Sequence, residues 1–126
     1  MANNPKTVMI VEDEPDAAEL FAEMMRVSGY RVLKAHASTL AMKLIAQHKP
    51  DAVILDIMMP DISGLEILRY MRREADLARI PVIVVSAKSL PSDVQEGLNA
   101  GASIYLTKPV GFADLKNAVE RALKDS

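Results

Sequence analysis

The sequence predicts a three-layer α/β domain, a doubly wound (βα)5 arrangement around a parallel sheet of strand order 2-1-3-4-5. Three observations predict it. Five short apolar runs without polar alternation recur along the chain, which is the pattern of strands covered on both faces. Each is followed by a segment with apolar residues at helical spacing, and strict strand–helix alternation requires right-handed crossovers with helices on both sides of the sheet. With 126 residues and no internal repeat, linker or low-complexity tract, the chain fits one domain, 1–126 with a core over about 6–123, that buries about two thirds of its unfolded surface.

The first strand spans 8–11 and ends on Glu12-Asp13-Glu14. Pro15 suits the first helical position, where its missing N–H would be unpaired anyway. Ala18, Phe21 and Met25 then recur on one face before Gly29 stops the helix. Residues 31–35 form a weaker second strand. Ser38 is placed to cap a second helix, with Leu40, Ala41, Leu44, Ile45 and His48 in one stripe, ended by Lys49-Pro50. The third strand, 52–55, is too short and apolar for a helix, ends on Asp56, and cannot continue through Pro60. Ser63-Gly-Leu-Glu66 has the spacing of a reciprocal helix cap, and Leu65, Leu68 and Met71 continue the third helix inward to about residue 74.

Residues 82–85, all β-branched after Pro81, read as a buried fourth strand ending on Ser86. A fourth helix over about 92–100 contains Gly97, which weakens it by about 1 kcal/mol relative to Ala, and stops at Gly101. It is expected to be the loosest of the five. Residues 104–106 form the fifth strand, followed by Thr107, Lys108 and Pro109. The last helix, about 112–124, places Phe112, Leu115, Val119 and Ala122 on one face.

Composition excludes several function classes. Fifteen basic against seventeen acidic side chains leave a net charge of −2, without the basic excess that binding a phosphate backbone needs, so no direct nucleic-acid partner is expected. No apolar run approaches the roughly 20 residues of a membrane span, and the first residues lack a signal-peptide pattern. The absence of cysteine suits a reducing compartment, and cytoplasmic residence is expected.

In the order 2-1-3-4-5 the strand order reverses between strands one and three, and ligands of such sheets bind outside the carboxyl ends at that point. Glu12, Asp13 and Asp56 converge there. Three carboxylates at one edge need a counter-charge. All-oxygen ligands select a hard divalent cation, and a few carboxylates completed by water and phosphate suit Mg²⁺ better than Ca²⁺. Ser86 and Lys108 end strands four and five with a hydroxyl and an ammonium, which would orient a phosphoryl group carried by Asp56. Singly, each residue has a plain structural use: a turn aspartate, a strand-end serine, a solvated lysine, acids at a helix start. Four apolar strands that end on acid, acid, hydroxyl and ammonium make a shared site the better reading.

Glu12-Asp13 after strand one, Asp56 within Leu-Asp-Ile-Met-Met-Pro, Ser86-Ala87 after strand four and Lys108-Pro109 after strand five resemble the receiver domain of two-component response regulators. The resemblance covers about 6–123 and implies the flavodoxin-like version of the fold. It implies that Asp56 accepts a phosphoryl group from a histidine kinase or histidine phosphotransfer protein. It implies that Glu12, Asp13, Asp56 and the backbone carbonyl of Met58 hold Mg²⁺, with Mn²⁺ as the alternative ion. Ser86 would bond the phosphoryl oxygens, Lys108 would pair with the group, and the Lys108–Pro109 bond would be cis. Ala87 would leave room for phosphodonors, and Tyr105 would rotate inward as Ser86 is drawn to the phosphate. Met58 and Lys88 occupy positions that vary in the family and set signal lifetime. Neither is a carboxylate or amide, and Met58 has no strong group to orient an attacking water, so slow self-hydrolysis is expected, with Lys88 as a shield. The helix four, strand five, helix five face is expected to carry output to a protein target, in a monomer or weak phosphorylation-linked dimer. The chain reads as a stand-alone receiver or a piece of a larger regulator.

Rival readings fit less well. An aspartyl phosphatase needs a second aspartate two residues after the nucleophile, and Met58 stands there. A dinucleotide module needs a glycine loop where this chain has Glu12-Asp13-Glu14-Pro15. A receiver reduced to an interaction scaffold would not need the intact acids, Ser86 and Lys108. His36 and His48 lack metal-ligand spacing. Arg69, Arg72 and Arg73 read as a solvated face, and the methionines as core filler.

Overall fold

In a computed structural model that describes residues 4–125, the five apolar runs lie side by side in one parallel sheet. Residues 1–3 and 126, assigned from sequence to the same domain, lie outside the described residues. The strands are β1 (Thr7–Val11), β2 (Arg31–Ala35), β3 (Ala52–Leu55), β4 (Val82–Ser86) and β5 (Ile104–Thr107). They alternate with α1 (Pro15–Val27), α2 (Ser38–His48), α3 (Gly64–Arg73), α4 (Pro91–Ala100) and α5 (Phe112–Asp125). The sheet order is β2-β1-β3-β4-β5, as predicted.

Side chains alternate across a strand, so each wholly apolar strand feeds two cores. Met9, Val11, Val53, Leu55, Val82 and Val84 meet Ile45, Leu68 and Met71 on one face. Val8, Ile10, Ile54, Ile83 and Val85 meet Phe21, Met25, Leu115 and Val119 on the other. Each such large aliphatic side chain contributes about 1.5–3 kcal/mol by leaving water. This burial fixes the register, because a slip of one residue would exchange the faces of every side chain.

Register then places the site. Val11 lies opposite Leu55 and Ser86 opposite Thr107, so the next residues emerge together at the carboxyl end. The ladder extends one step beyond the strands: Glu12 N donates to Ala35 O at 3.1 Å, Asp56 N to Val11 O at 3.0 Å, and Lys108 N to Ser86 O at 2.8 Å.

Several local expectations are corrected. Ser38 is the first residue of α2 and not its cap; the cap position is Ala37. The Ser38 amide is taken instead by Asp61 Oδ2 at 3.1 Å, and its buried hydroxyl donates to the Ile62 carbonyl. Ser63 does cap α3, accepting from Leu65 N at 3.2 Å, but Glu66 pairs with Arg69 one turn on and does not complete a reciprocal cap. Arg72 is not part of a solvated face. Its guanidinium donates to the carbonyls of Gly101, Ala78 and Ile80 at 3.0, 3.1 and 2.8 Å, tying α3 to the end of α4 and to the segment before β4. His48 is exposed, outside the buried stripe of α2. Phe112 is 41% exposed, because α5 turns its first residue away from the core that Leu115, Val119 and Ala122 enter.

Candidate functional site

The rim outside β1, β3, β4 and β5 gathers the residues singled out from sequence. Glu12 and Asp56 are almost wholly buried, at 2% and 7% exposure. Carboxylate oxygens of Glu12, Asp13 and Asp56 all lie within 4.8 Å of one another, with Asp13 the most exposed of the three. Between the two buried acids sits Lys108, its Nζ 2.7 Å from Glu12 Oε1 and 3.1 Å from Asp56 Oδ2. The other oxygen of Asp56, Oδ1, accepts from Met58 N at 2.8 Å. Both acceptor oxygens are thus held, and the carboxylate is oriented by the sheet below and the loop above.

Electrostatics follow from this packing. Burial pushes the Glu12 carboxyl above its usual range and the neighbouring Asp56 charge adds to that, while hydrogen bonding to Lys108 opposes it. For Lys108 burial acts to lower the pKa, but its hydrogen bond to Glu12 and the charge of Asp56 outweigh it, so the ammonium is held above its ordinary value. Lys108 is therefore a firm cation. Its Nζ also stands 6.0 Å from the centre of the Phe21 ring, so one apolar core residue of α1 walls the same charge.

Two carboxylates buried against a single ammonium, with a third beside them, leave excess negative charge. A hard divalent ion is the group that such an all-oxygen set accommodates. The residues present fit it.

Ser86 is fully buried at the end of β4, and its Oγ accepts from Lys88 N at 3.1 Å. The carbonyl of Lys88 in turn accepts from the Tyr105 hydroxyl at 2.8 Å. Ser86, Lys88 and Tyr105 therefore form one connected loop beside the acids. The Lys108–Pro109 peptide is cis, in keeping with the resemblance. Met58 turns its side chain outward, 49% exposed. His36 and His48 are exposed and neither belongs to the acidic group.

Sequence reasoning missed other contributors. Glu14 caps α1, accepting from Asp16 N at 3.2 Å and Ala17 N at 2.8 Å; a glutamate before Pro15 was the available signal. Gly64 lets α3 press on the acceptor loop, since a Cβ there would stand 2.5 Å from Ile57 Cα and 2.6 Å from Asp56 O. A glycine directly after the capping Ser63 was its only mark.

The rim is open. Surface cavities of about 440 Å³, beside Arg79 and Arg121, and about 580 Å³, beside Arg69 and Asn99, are lined by none of the acids, Ser86 or Lys108.

Comparison with known proteins agrees with this geometry. Residues 8–120 match the family model of the response regulator receiver domain. The chain is 32% identical over 122 residues to the polar-differentiation response regulator DivK of Brucella anthropi, covering 97% of this chain and 99% of that protein. It superposes with a TM-score of 0.88 on a Francisella response regulator receiver domain, at 28% identity and 95% and 98% coverage of the two chains. It superposes at 0.89, with 28% identity and 96% and 99% coverage, on the receiver domain of a Pseudomonas aeruginosa sensor histidine kinase, a structure described with magnesium coordinated in its active-site cleft. Fold, strand-end chemistry and ancestry thus coincide, and the chain belongs to the receiver domains of two-component response regulators, which act as signalling switches and not as turnover enzymes.

Proposed function

We propose that the chain is a single receiver unit in which Asp56 is phosphorylated by a histidine kinase or histidine phosphotransfer protein, and that the phosphorylated form changes partner binding. The observation that carries this reading is the Asp56 carboxylate, 7% exposed, with one oxygen on Lys108 Nζ and the other on Met58 N. In the transfer, the N–P bond of the donor phosphohistidine breaks as an Asp56 Oδ–P bond forms. Mg²⁺, or Mn²⁺ in its place, would be held by Glu12, Asp13, Asp56 and the Met58 carbonyl, and when bound it supplies charge neutralisation for the incoming phosphoryl oxygens.

The protein groups do the rest. Lys108 pairs with the phosphoryl charge, and the Ser86 proton turns to a phosphoryl oxygen while its Oγ keeps the Lys88 amide. An aspartyl phosphate adds about one negative charge and three acceptor oxygens, so the Ser86 and Lys108 loops gain partners only in that state. Reversing a 1:99 equilibrium takes about 5.5 kcal/mol, which two or three charge-assisted hydrogen bonds supply. The Tyr105 seat against Lys88 is the one that phosphorylation favours. Output leaves through α4, β5 and α5, where Leu90 and Leu98 are exposed at 63% and 41%, toward a regulatory protein target in the cytoplasm, from a monomer or a weak phosphorylation-linked dimer.

Amide spectra with and without beryllofluoride and Mg²⁺ test this. The largest shifts should fall at Ser86 to Leu90, along α4 and at Tyr105; an unchanged α4–β5–α5 face removes the output assignment. Met58 and Lys88 set the lifetime in this reading. Met58→Asn is expected to speed loss of the phosphoryl group in a direct dephosphorylation time course, and an unchanged rate would remove that role.

A further inference from the structure

Gly97 is the one buried residue of α4, and glycine is the least favourable helical residue apart from proline. Its backbone does not require glycine, since the glycines with positive φ are Gly29 and Gly101. What the position requires is space. A Cβ at 97 would stand 2.7 Å from Tyr105 Cδ2 and 2.9 Å from Cε2, closer than carbon atoms pack. The tyrosine ring occupies the volume that any other side chain would take.

That ring belongs to the connected loop of the site. Its hydroxyl donates to Lys88 O at 2.8 Å, and Lys88 N donates to Ser86 Oγ at 3.1 Å. The absence of one methyl group on α4 is therefore linked through three residues to the end of β4. We propose that Gly97 is a positioning residue for the switch: by leaving out its side chain it makes the seat in which Tyr105 reaches the Lys88 carbonyl.

Alanine at 97 closes the seat. The α4 backbone is held by its own ladder of hydrogen bonds, whereas the Tyr105 side chain swings about its Cα–Cβ bond, so the ring is the part that leaves. Its hydrogen bond to Lys88 goes with it. The structural arm of the proposal stands without any phosphoryl chemistry. The functional arm rests on the reading of Asp56 as phosphoacceptor: if the seated tyrosine accompanies the phosphorylated state, closing the seat weakens the response to the phosphoryl group by linkage.

A double-mutant cycle tests the structural arm. In a Tyr105→Ala background nothing opposes the added Cβ, so Gly97→Ala should raise Tm by about 3 °C through helix propensity alone. In the native Tyr105 background the same substitution should give no rise or a fall. An equal rise in both backgrounds overturns the proposal. Titration with beryllofluoride at saturating Mg²⁺ tests the functional arm. Gly97→Ala should raise the midpoint by about fivefold or more with Tyr105 present, and leave it unchanged in the Tyr105→Ala background. An unshifted midpoint with Tyr105 present overturns that arm. If the native protein itself gives no beryllofluoride response, the phosphoacceptor reading fails instead, and the Tm cycle still decides the role of Gly97.

Discussion

Helices α1 and α4 both flank the acidic rim, and they are held in opposite ways. α1 buries Ala18, Phe21, Ala22 and Met25, and the Glu14 side chain takes two of its free amides. α4 buries only Gly97, and its cap position is Leu90, whose side chain has no acceptor. Only the return half of a cap exists there, Leu90 N to Asp93 Oδ2 at 3.3 Å. Apolar burial anchors the first helix by several kcal/mol and the second by less, since beside Gly97 only Val94 and Ala100 of its apolar residues are even half-buried. The acids Glu12 and Asp13 sit on the anchored side, next to α1. Lys88, Tyr105 and the end of β4 sit on the side that α4 covers. The site thus has one half walled by a deeply packed helix and one half walled by a shallowly packed one.

The sharpest way to break this contrast is to truncate one large apolar side chain on each helix, buried Met25 on α1 and exposed Leu98 on α4. Met25→Ala leaves a cavity under α1 and should cost about 3 kcal/mol in urea unfolding, whereas Leu98→Ala on α4 should stay within about 0.5 kcal/mol. Native-state hydrogen exchange adds a second reading, with α4 amides opening well before those of α1. Equal protection of the two helices would remove the contrast.

A smaller effect is expected at the boundary between the halves. Lys108→Ala leaves Glu12 and Asp56 buried without their cation and should lower stability by about 2–3 kcal/mol in metal-free buffer. Millimolar Mg²⁺ should recover most of the loss by taking over the neutralisation. A deficit that ignores Mg²⁺ would mean that the acids and the ion do not share a site. The smallest effect is local: Ser63→Ala removes the Leu65 amide cap of α3 and should cost about 1 kcal/mol in the same assay.

The anchored half was the more legible in sequence. Strands β1 and β3 are apolar at every interior position because helices cover both faces, and their endings alone place Glu12 and Asp56 at one rim. What escaped reading depends on partners distant along the chain. The α2 amide is capped by Asp61, 23 residues beyond Ser38, and an aspartate in a loop gives no hint of which helix it will meet. Arg72 is spent on three carbonyls, and backbone acceptors leave no trace in residue identity. Gly97 read as a weakness of α4, whereas it is the space into which a tyrosine from the next strand fits. The spacing of Phe21 predicts a core position, but its place beside Lys108 depends on the crossover that brings β5 to the rim.

Intact-protein mass spectrometry after incubation with acetyl phosphate, with Mg²⁺ and with EDTA, tests the central claim most directly. The native chain should gain one phosphoryl group in Mg²⁺, mapping to Asp56, and gain none when the metal is chelated beforehand, with Asp56→Asn gaining none in either buffer. A label that forms equally well in EDTA, or that persists in Asp56→Asn, would contradict the account.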